Sequence, residues 1–298
     1  MTKKKANRCG LVALLGEPNV GKSTLINSFI GTKISIVTHK AQTTRDRVRG
    51  ILIEGESQII LIDTPGVFTT IKTRLDQAMV SAAWQGALGA DIILFMLEAN
   101  RGLTTEARSI INSIKNKKNL NCRLALVLNK IDKVKKEKLL ILAEQLNSEF
   151  NFKATFMISA EKGQGVAVLK KWLSTNLPKS PWLYPNKQVT DIPITIFAAE
   201  LTREKLLFRL HQEIPYKLTV EPEDWTELSD GSLKINQIIL VANKRYKGIV
   251  LGKKGEIVKW VSTSSRKELA KILNKRVHLF LRVRVKENWY NELRRFKV

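Results

Sequence analysis

The chain has 298 residues, 51 Lys and Arg against 27 Asp and Glu, a formal charge of +24 and 44% hydrophobic residues, with a pI of about 10.1. That length points to two domains, each apolar enough to bury a core, and the charge excess predicts an anionic partner, nucleic acid or a membrane surface, rather than a particular fold. No apolar run approaches the ~20 residues that cross a bilayer, and Cys9 and Cys122 lack the spacing and the neighbouring histidines of a zinc site, which argues against membrane-spanning and zinc-dependent classes.

The basic start, Met1-Thr2-Lys3-Lys4-Lys5-Ala6, has no apolar stretch and no cleavage site of a secretory signal. With the two cysteines read as reduced thiols, the expectation is a cytoplasmic protein. The apolar run Leu11 to Leu15 then leads into G-E-P-N-V-G-K-S-T over Gly16 to Thr24, and Leu25, Ile26 and Phe29 follow at helical spacing. This is a phosphate-binding loop in its strand-to-helix context. Gly16 and Gly21 let backbone amides approach phosphates without a Cβ in the way. Lys22 is expected to reach the β- and γ-phosphates and Ser23 to ligate Mg²⁺, while the helix opening at Lys22 points its free N–H groups at the anion.

Thr32 to Arg49 is polar, basic and weakly periodic, the pattern of a mobile loop, and within it Thr44 is the expected Mg²⁺ and γ-phosphate ligand. A loop that orders only around the γ-phosphate is the physical basis of a nucleotide switch. Two strand-like runs follow, 51–53 and 59–62, joined by a turn at Glu54-Gly55-Glu56-Ser57. The second ends in Asp63-Thr64-Pro65-Gly66. A carboxylate at the C-terminal end of a buried strand is where an α/β sheet places its functional groups; Asp63 is expected to hold Mg²⁺ through water and the Gly66 amide to sense the γ-phosphate.

Strand-like runs at 91–98 and 123–128, each preceded by helical patterning, predict a largely parallel sheet with helices on both faces. Asn129-Lys130-Ile131-Asp132 follows the second run directly. A carboxylate at Asp132 accepts from N1–H and the 2-amino group of guanine, neither of which adenine offers, so the nucleotide is read as GTP. A last strand at 154–158 runs into Ser159-Ala160-Glu161-Lys162-Gly163, whose amides are expected near guanine O6, and a helix at 166–177 closes the domain. The prolines at 178, 181 and 185 mark a linker. The boundaries expected are 1–178 for the nucleotide domain, 179–190 for the linker and 191–298 for the second domain.

Beyond the linker the expectation is a strand at 192–197, a helix at 203–212 and three strands near 216–221, 232–241 and 277–285, an α+β module. Between strand and helix, Gly252-Lys253-Lys254-Gly255 forms a G-x-x-G turn of the kind that lays backbone against single-stranded nucleic acid. The segment from Lys234 to Val298 holds 18 Lys and Arg against 4 acids, so 14 of the 24 excess charges lie in the part of the chain that carries this turn. Trp182, Trp225, Trp260 and Trp289 are candidates either for base stacking or for core packing.

Taken together, the phosphate loop, K-A-Q-T-T-R around Thr44, D-T-P-G, N-K-I-D, S-A-E and the terminal G-K-K-G resemble the Era family of bacterial ribosome-assembly GTPases, within the TrmE-Era-EngA-like class, from Leu11 to the C-terminus. The resemblance implies an α/β P-loop GTPase domain followed by a smaller α+β KH domain of type II, with GTP/GDP and Mg²⁺ as cofactors and slow GTP hydrolysis. It also implies that the KH domain, with Gly252, Lys253, Lys254 and Gly255, grips the 3′ end of 16S rRNA during maturation of the 30S subunit. A monomer with peripheral contact to the inner membrane face is implied as well. By the same likeness, Lys22, Thr44, Asp63 and Gly66 carry catalysis. Ser23, Thr44 and Asp63 hold the metal, and Gly16, Asn19, Gly21, Lys22, Ser23, Thr24, Asn129, Lys130, Asp132, Ser159 and Ala160 bind nucleotide. Asn19 matches relatives in which this Asn ligates a K⁺ that stands in for an arginine finger. Two departures stand out: Glu17 places an acid beside the phosphate loop, and Val67 stands where Ras-like proteins orient water with Gln. Two rivals remain, an ATP-dependent kinase or helicase and a membrane-associated signalling GTPase whose basic tail binds anionic lipid.

Overall fold

Phosphate-binding α/β sheets work by burying apolar strands on both faces and leaving their C-terminal ends open to loops, and the first half of this chain follows that plan. A computed structural model describes residues 7–40, 42–45, 47–67, 74–116, 122–211, 213–287 and 289, with the side chain of Arg74 excepted. The basic N-terminus at 1–6, Gln212 of the expected helix and the end of the basic tail at 290–298 lie outside the described residues. The described chain forms two compact units that divide between Asp191 and Ile192.

The first unit runs β1 (Arg8–Leu15), α1 (Lys22–Ile30), β2 (Val48–Glu54), β3 (Ser57–Asp63), α2 (Arg74–Leu88), β4 (Ile92–Glu98), α3 (Thr105–Asn116), β5 (Arg123–Asn129), α4 (Lys136–Glu149), β6 (Ala154–Met157) and α5 (Val166–Asn176). The sheet order is β2-β3-β1-β4-β5-β6. β1 pairs in parallel with β3 and β4, β4 with β5 and β5 with β6, while the β2–β3 hairpin is antiparallel. Every residue of β3 is buried, as are the first six of β4, so these strands read as continuous apolar runs. Their register brings Gly16, Asp63, Asn129 and Ser159 to strand ends on one edge of the sheet. Cys9 sits inside β1, and both cysteines are free.

Residues 179–190, expected to be a linker on their prolines, run along the first unit. The Ser180 N–H donates to the Asn7 carbonyl and the Ile51 N–H to the Val189 carbonyl. The buried Gln58 amide is satisfied by the same segment: its Oε1 accepts from the Leu183 and Tyr184 N–H groups and its Nε2 donates to the Tyr184 carbonyl. A buried amide must find partners, and here the proline-rich segment provides them.

The second unit runs α6 (Ile194–Arg209), β7 (Leu218–Glu227), β8 (Leu233–Val241), α7 (Lys244–Leu251), α8 (Glu256–Leu273) and β9 (Val277–Val285). β8 is central, antiparallel to β7 and parallel to β9. The strand expected at 192–197 is instead the start of α6. Its β-branched run is overridden because Phe197, Ala198, Leu201 and Thr202, at helical spacing, are all buried, and Pro193 supplies the cap with its fixed φ of −58°. The element before the G-x-x-G turn is likewise a helix, not a strand. Asn243 caps α7, its Oδ1 accepting from the Tyr246 N–H at 2.9 Å. The turn therefore joins two helices, and the second unit has the order αββααβ.

Candidate nucleotide and RNA sites

Between β1 and α1 the chain closes tightly around its own amides. A Cβ on Gly16 would lie 2.4 Å from the Met96 carbonyl oxygen of β4, and one on Gly21, where φ is 100°, would lie 2.3 Å from Asn129 Nδ2. Neither position admits a side chain. No acid occupies the first turn of α1, so its positive end is left for an external anion. Thr24 follows in that turn, partly exposed.

Lys22 is buried and folds back over the loop, its Nζ donating to the carbonyls of Gly16 at 3.0 Å and Glu17 at 2.9 Å. Burial pulls its pKa from the usual 10.5 to about 8, against the opposing pull of Asp63 and Glu17. The Glu17 side chain turns to Arg101, 3.6 Å away in the loop after β4, and is only 4% exposed. The acid beside the phosphate loop is thus paired rather than presented to solvent. Asn19, at a φ of 65°, donates through Nδ2 to the His39 carbonyl at 2.8 Å.

Asp63 is fully buried at the end of β3, and burial raises its carboxyl above the ordinary range. Its Oδ2 accepts from Ser23 Oγ at 2.7 Å, Ser35 Oγ at 2.7 Å and Thr44 Oγ1 at 3.4 Å, and Ser23 Oγ lies 3.0 Å from Thr44 Oγ1. Oδ1 is buried with no hydrogen-bond partner. An orphaned carboxylate oxygen beside two hydroxyls fits a hard, oxygen-seeking cation. Mg²⁺ is usually bound by few protein oxygens, with water and phosphate oxygens completing its shell, and the residues here fit that habit. The segment expected to be a mobile loop is in part packed: Ile34, Ser35, Ile36 and Thr38 are buried. Gln42 Nε2 also reaches Asp76 Oδ1 of α2 at 2.6 Å.

Gly66 approaches the phosphate loop so closely that a Cβ would lie 2.8 Å from Pro18, and the next N–H, of Val67, donates to the Gly16 carbonyl at 3.1 Å. The Val67 side chain is buried in the core with Ala83 and Ala87. It faces away from solvent and has no polar atom with which to hold a water.

At the far end of the site Asn129 uses both ends of its amide. Nδ2 donates to the Val20 carbonyl at 2.7 Å, and Oδ1 accepts from the Ala160 N–H at 2.9 Å. The Ala160 amide, expected near guanine O6, is thus engaged by Asn129 here. Lys130, at a φ of 62°, pairs with Glu98 at 2.7 Å. Asp132 is held below the ordinary carboxylate range, first by a hydrogen bond from the Ser159 side chain and then by Lys162, 3.5 Å away. It therefore stands as an ionised acceptor.

In the second unit Gly252 has a φ of 75°, and a Cβ there would lie 2.7 Å from Ile257 Cγ1 and 3.0 Å from the Ile257 nitrogen. Lys253 and Lys254 are exposed. Of the four tryptophans named as stacking candidates, Trp289 is fully buried, its Nε1 donating to the Lys217 carbonyl at 3.2 Å, and Trp225 packs on the core. Trp182 Nε1 donates to the Glu56 carbonyl at 3.1 Å. Trp260 is 41% exposed, with the Arg209 guanidinium 5.7 Å from its ring centre.

The sequence matches a family model described as 50S ribosome-binding GTPase over residues 11–130 and a KH domain model over 213–290. It is 53% identical to the GTPase Era of Dinoroseobacter shibae over 297 residues, covering 99% of this chain and 96% of that protein. It is 51% identical to that of Brucella suis, covering 99% and 94%. Two solved structures superpose with a TM-score of 0.91 at 36% identity over 97% of this chain and 98% of theirs. One is an Era variant of Aquifex aeolicus bound to GDP and AlF4⁻, the other Era with MgGDPNP and nucleotides 1506–1542 of 16S ribosomal RNA.

The buried ammonium of Lys22 has a measurable consequence. A lysine whose native pKa lies below its unfolded value destabilises the fold fully below about pH 8, and the cost fades as pH rises toward 10.5. Lys22→Met should raise the stability of the nucleotide-free protein by about 3 kcal/mol at pH 7, from the size of that shift, while abolishing nucleotide binding. The gain should shrink above pH 8. Urea unfolding of both proteins across pH 7 to 10 measures it, and a variant less stable than the parent at pH 7 would contradict it.

Proposed function

The chain belongs to the Era family of GTPases, and on that premise we propose that it hydrolyses GTP to GDP and phosphate and grips the 3′ end of 16S rRNA to assist 30S subunit assembly. The observation that carries the nucleotide half is the place of Asp132, its carboxylate 3.5 Å from Lys162, at one end of a site whose other end is a closed phosphate loop, with Asn129 joining the two. A carboxylate there accepts from guanine N1–H and the 2-amino group and leaves adenine unmatched. This disfavours an ATP-dependent kinase or helicase.

In this reading Lys22 exchanges the Gly16 and Glu17 carbonyls for the β- and γ-phosphates. Thr24 and the amides from Asn19 to Ser23 surround the phosphates, and the Gly66 N–H meets the γ-phosphate. Ser23 and Thr44 ligate Mg²⁺ and Asp63 holds it through water. The ion would neutralise charge developing on the phosphate oxygens. Lys130 lies along the base, and Ser159 and Ala160 complete its pocket. Val67 takes no part in orienting the attacking water. Asn19 Oδ1 serves as a K⁺ ligand, an idea that equal hydrolysis rates in K⁺ and Na⁺ buffers would remove.

The RNA half rests on the turn Gly252-Lys253-Lys254-Gly255, whose exposed lysines stand between two helices of a KH domain. Backbone at such a turn can approach the sugar-phosphate of a single strand. The Era structure solved with nucleotides 1506–1542 of 16S rRNA supports the same reading. Among the described residues no helix is long and apolar enough to cross a membrane. A cytoplasmic monomer whose basic surface also touches the inner membrane face completes the proposal.

Two substitutions separate the halves. Asp132→Asn presents a donor to a donor edge and should transfer preference from guanine to xanthine nucleotides, with a loss of GTP affinity up to about 10⁴-fold; unchanged affinities by calorimetry would sink the assignment. Gly252→Asp forces a Cβ against Ile257 and adds a repelling charge. It should abolish specific RNA binding while GTP binding and hydrolysis persist. Lys253→Ala with Lys254→Ala should be milder, reducing the salt slope by up to about two units. A Gly252→Asp protein that still binds the rRNA fragment normally would remove the KH reading.

A further inference from the structure

Asp63 takes three hydroxyls on one oxygen, and the proposed function accounts for only two of them. Ser23 and Thr44 belong to the metal site; Ser35 does not. Its hydroxyl is nevertheless the better placed of the two donors from the 32–47 segment, at 2.7 Å against 3.4 Å for Thr44.

Ser35 is 3% exposed and is held from both sides of its own peptide. Asn27 Oδ1 accepts from the Ile34 N–H at 2.9 Å and the Ser35 N–H at 3.0 Å, and Asn27 Nδ2 donates to the Ser35 carbonyl at 2.8 Å. Ile34 and Ile36 are buried on either side. Asn27 stands four residues after Ser23 in α1, and residues so spaced share a helix face. One helix therefore supplies both a metal ligand and the clamp that fixes a hydroxyl on the metal's carboxylate.

We infer that Ser35 is a positioning residue for Mg²⁺, an inference that rests on reading Ser23, Thr44 and Asp63 as the metal site. When the oxygens of Ser23 and Thr44 turn to the ion, Ser35 alone of the three remains on Oδ2. It stops the buried carboxylate from rotating and keeps the unpartnered Oδ1 available to a metal-bound water. Groups that orient a metal's ligands typically contribute 10–100-fold to its affinity.

The test uses the full chain loaded with a fluorescent, non-hydrolysable GTP analogue, N-methylanthraniloyl-GDPNP, and measures its release while free Mg²⁺ is raised from EDTA-chelated to millimolar levels. Ser35→Ala should move the Mg²⁺ midpoint about 10–100-fold higher and leave the release rate in EDTA unchanged. Ser35→Cys, similar in size but a weak donor, should fall between. Thermal unfolding shows that each variant is folded. An unmoved midpoint in either folded variant would overturn the inference, and so would release that is faster by the same factor in EDTA, since that is the mark of a loop-packing role. Asp63→Asn is the reference: if it too leaves the Mg²⁺ dependence unmoved, the metal site itself has been misread, a failure distinct from that of Ser35.

Discussion

The two hydrogen bonds of the Asn129 side chain hold the proposed nucleotide site together. The loops proposed to meet the phosphates and the base are far apart in sequence, and an ordinary pair of loops would drift relative to each other. Asn129 ties the carbonyl of Val20, inside the phosphate loop, to the amide of Ala160, inside the base loop, from a buried position at the end of β5. Leaving either partner unmatched in that interior would cost about 1–3 kcal/mol. The tie also explains a glycine: the space where a Gly21 Cβ would stand is taken by Asn129 Nδ2. A fixed span between Asp132 and the phosphate cradle suits one rigid ligand with a base at one end and phosphates at the other.

Around that span the charges are arranged in pairs that a nucleotide would rearrange. Lys22 rests on carbonyls, Glu17 on Arg101, and Asp63 on three hydroxyls. Burial disfavours both the Lys22 ammonium and the Asp63 carboxylate. Phosphate and Mg²⁺ would supply the missing counter-charges, so part of the binding energy comes from relieving groups already held out of water. The Gln42 contact to Asp76 joins the segment carrying Thr44 to the helix that follows the D-T-P-G turn.

Much of this was legible from residue order because phosphate and guanine impose spacing. The strand-loop-helix around Lys22, the carboxylate after β3 and the N-K-I-D after β5 each follow a buried apolar run, and the structure puts them on one edge of one sheet. What the sequence concealed were contacts between distant residues and places where burial overrode local preference. Ser35 meets Asp63 across 28 residues, and its only local trace is the apolar Ile34 and Ile36 on either side. Ile194 and Ile196 read as a strand until the buried face of α6 is seen to continue through Leu201 and Leu206. The proline-rich 179–190 segment looks like a free linker, since nothing local reveals that Gln58 needs its backbone. Glu17 reads in the sequence as an acid set against phosphate, and only the fold brings Arg101 beside it.

A guanine-nucleotide site and a turn suited to single-stranded RNA stand on one chain, and we propose that the nucleotide bound at the first sets the RNA affinity of the second. The most direct measurement is fluorescence anisotropy of a single-stranded RNA matching the 3′ end of 16S rRNA, titrated with the full chain at fixed salt in Mg²⁺·GDPNP, in Mg²⁺·GDP and without nucleotide. Control by nucleotide predicts affinities that differ between the triphosphate and diphosphate states by about 5–150-fold, the usual size of a coupling between two sites. Equal affinity in all three states would contradict it, leaving two tethered modules that bind their ligands independently.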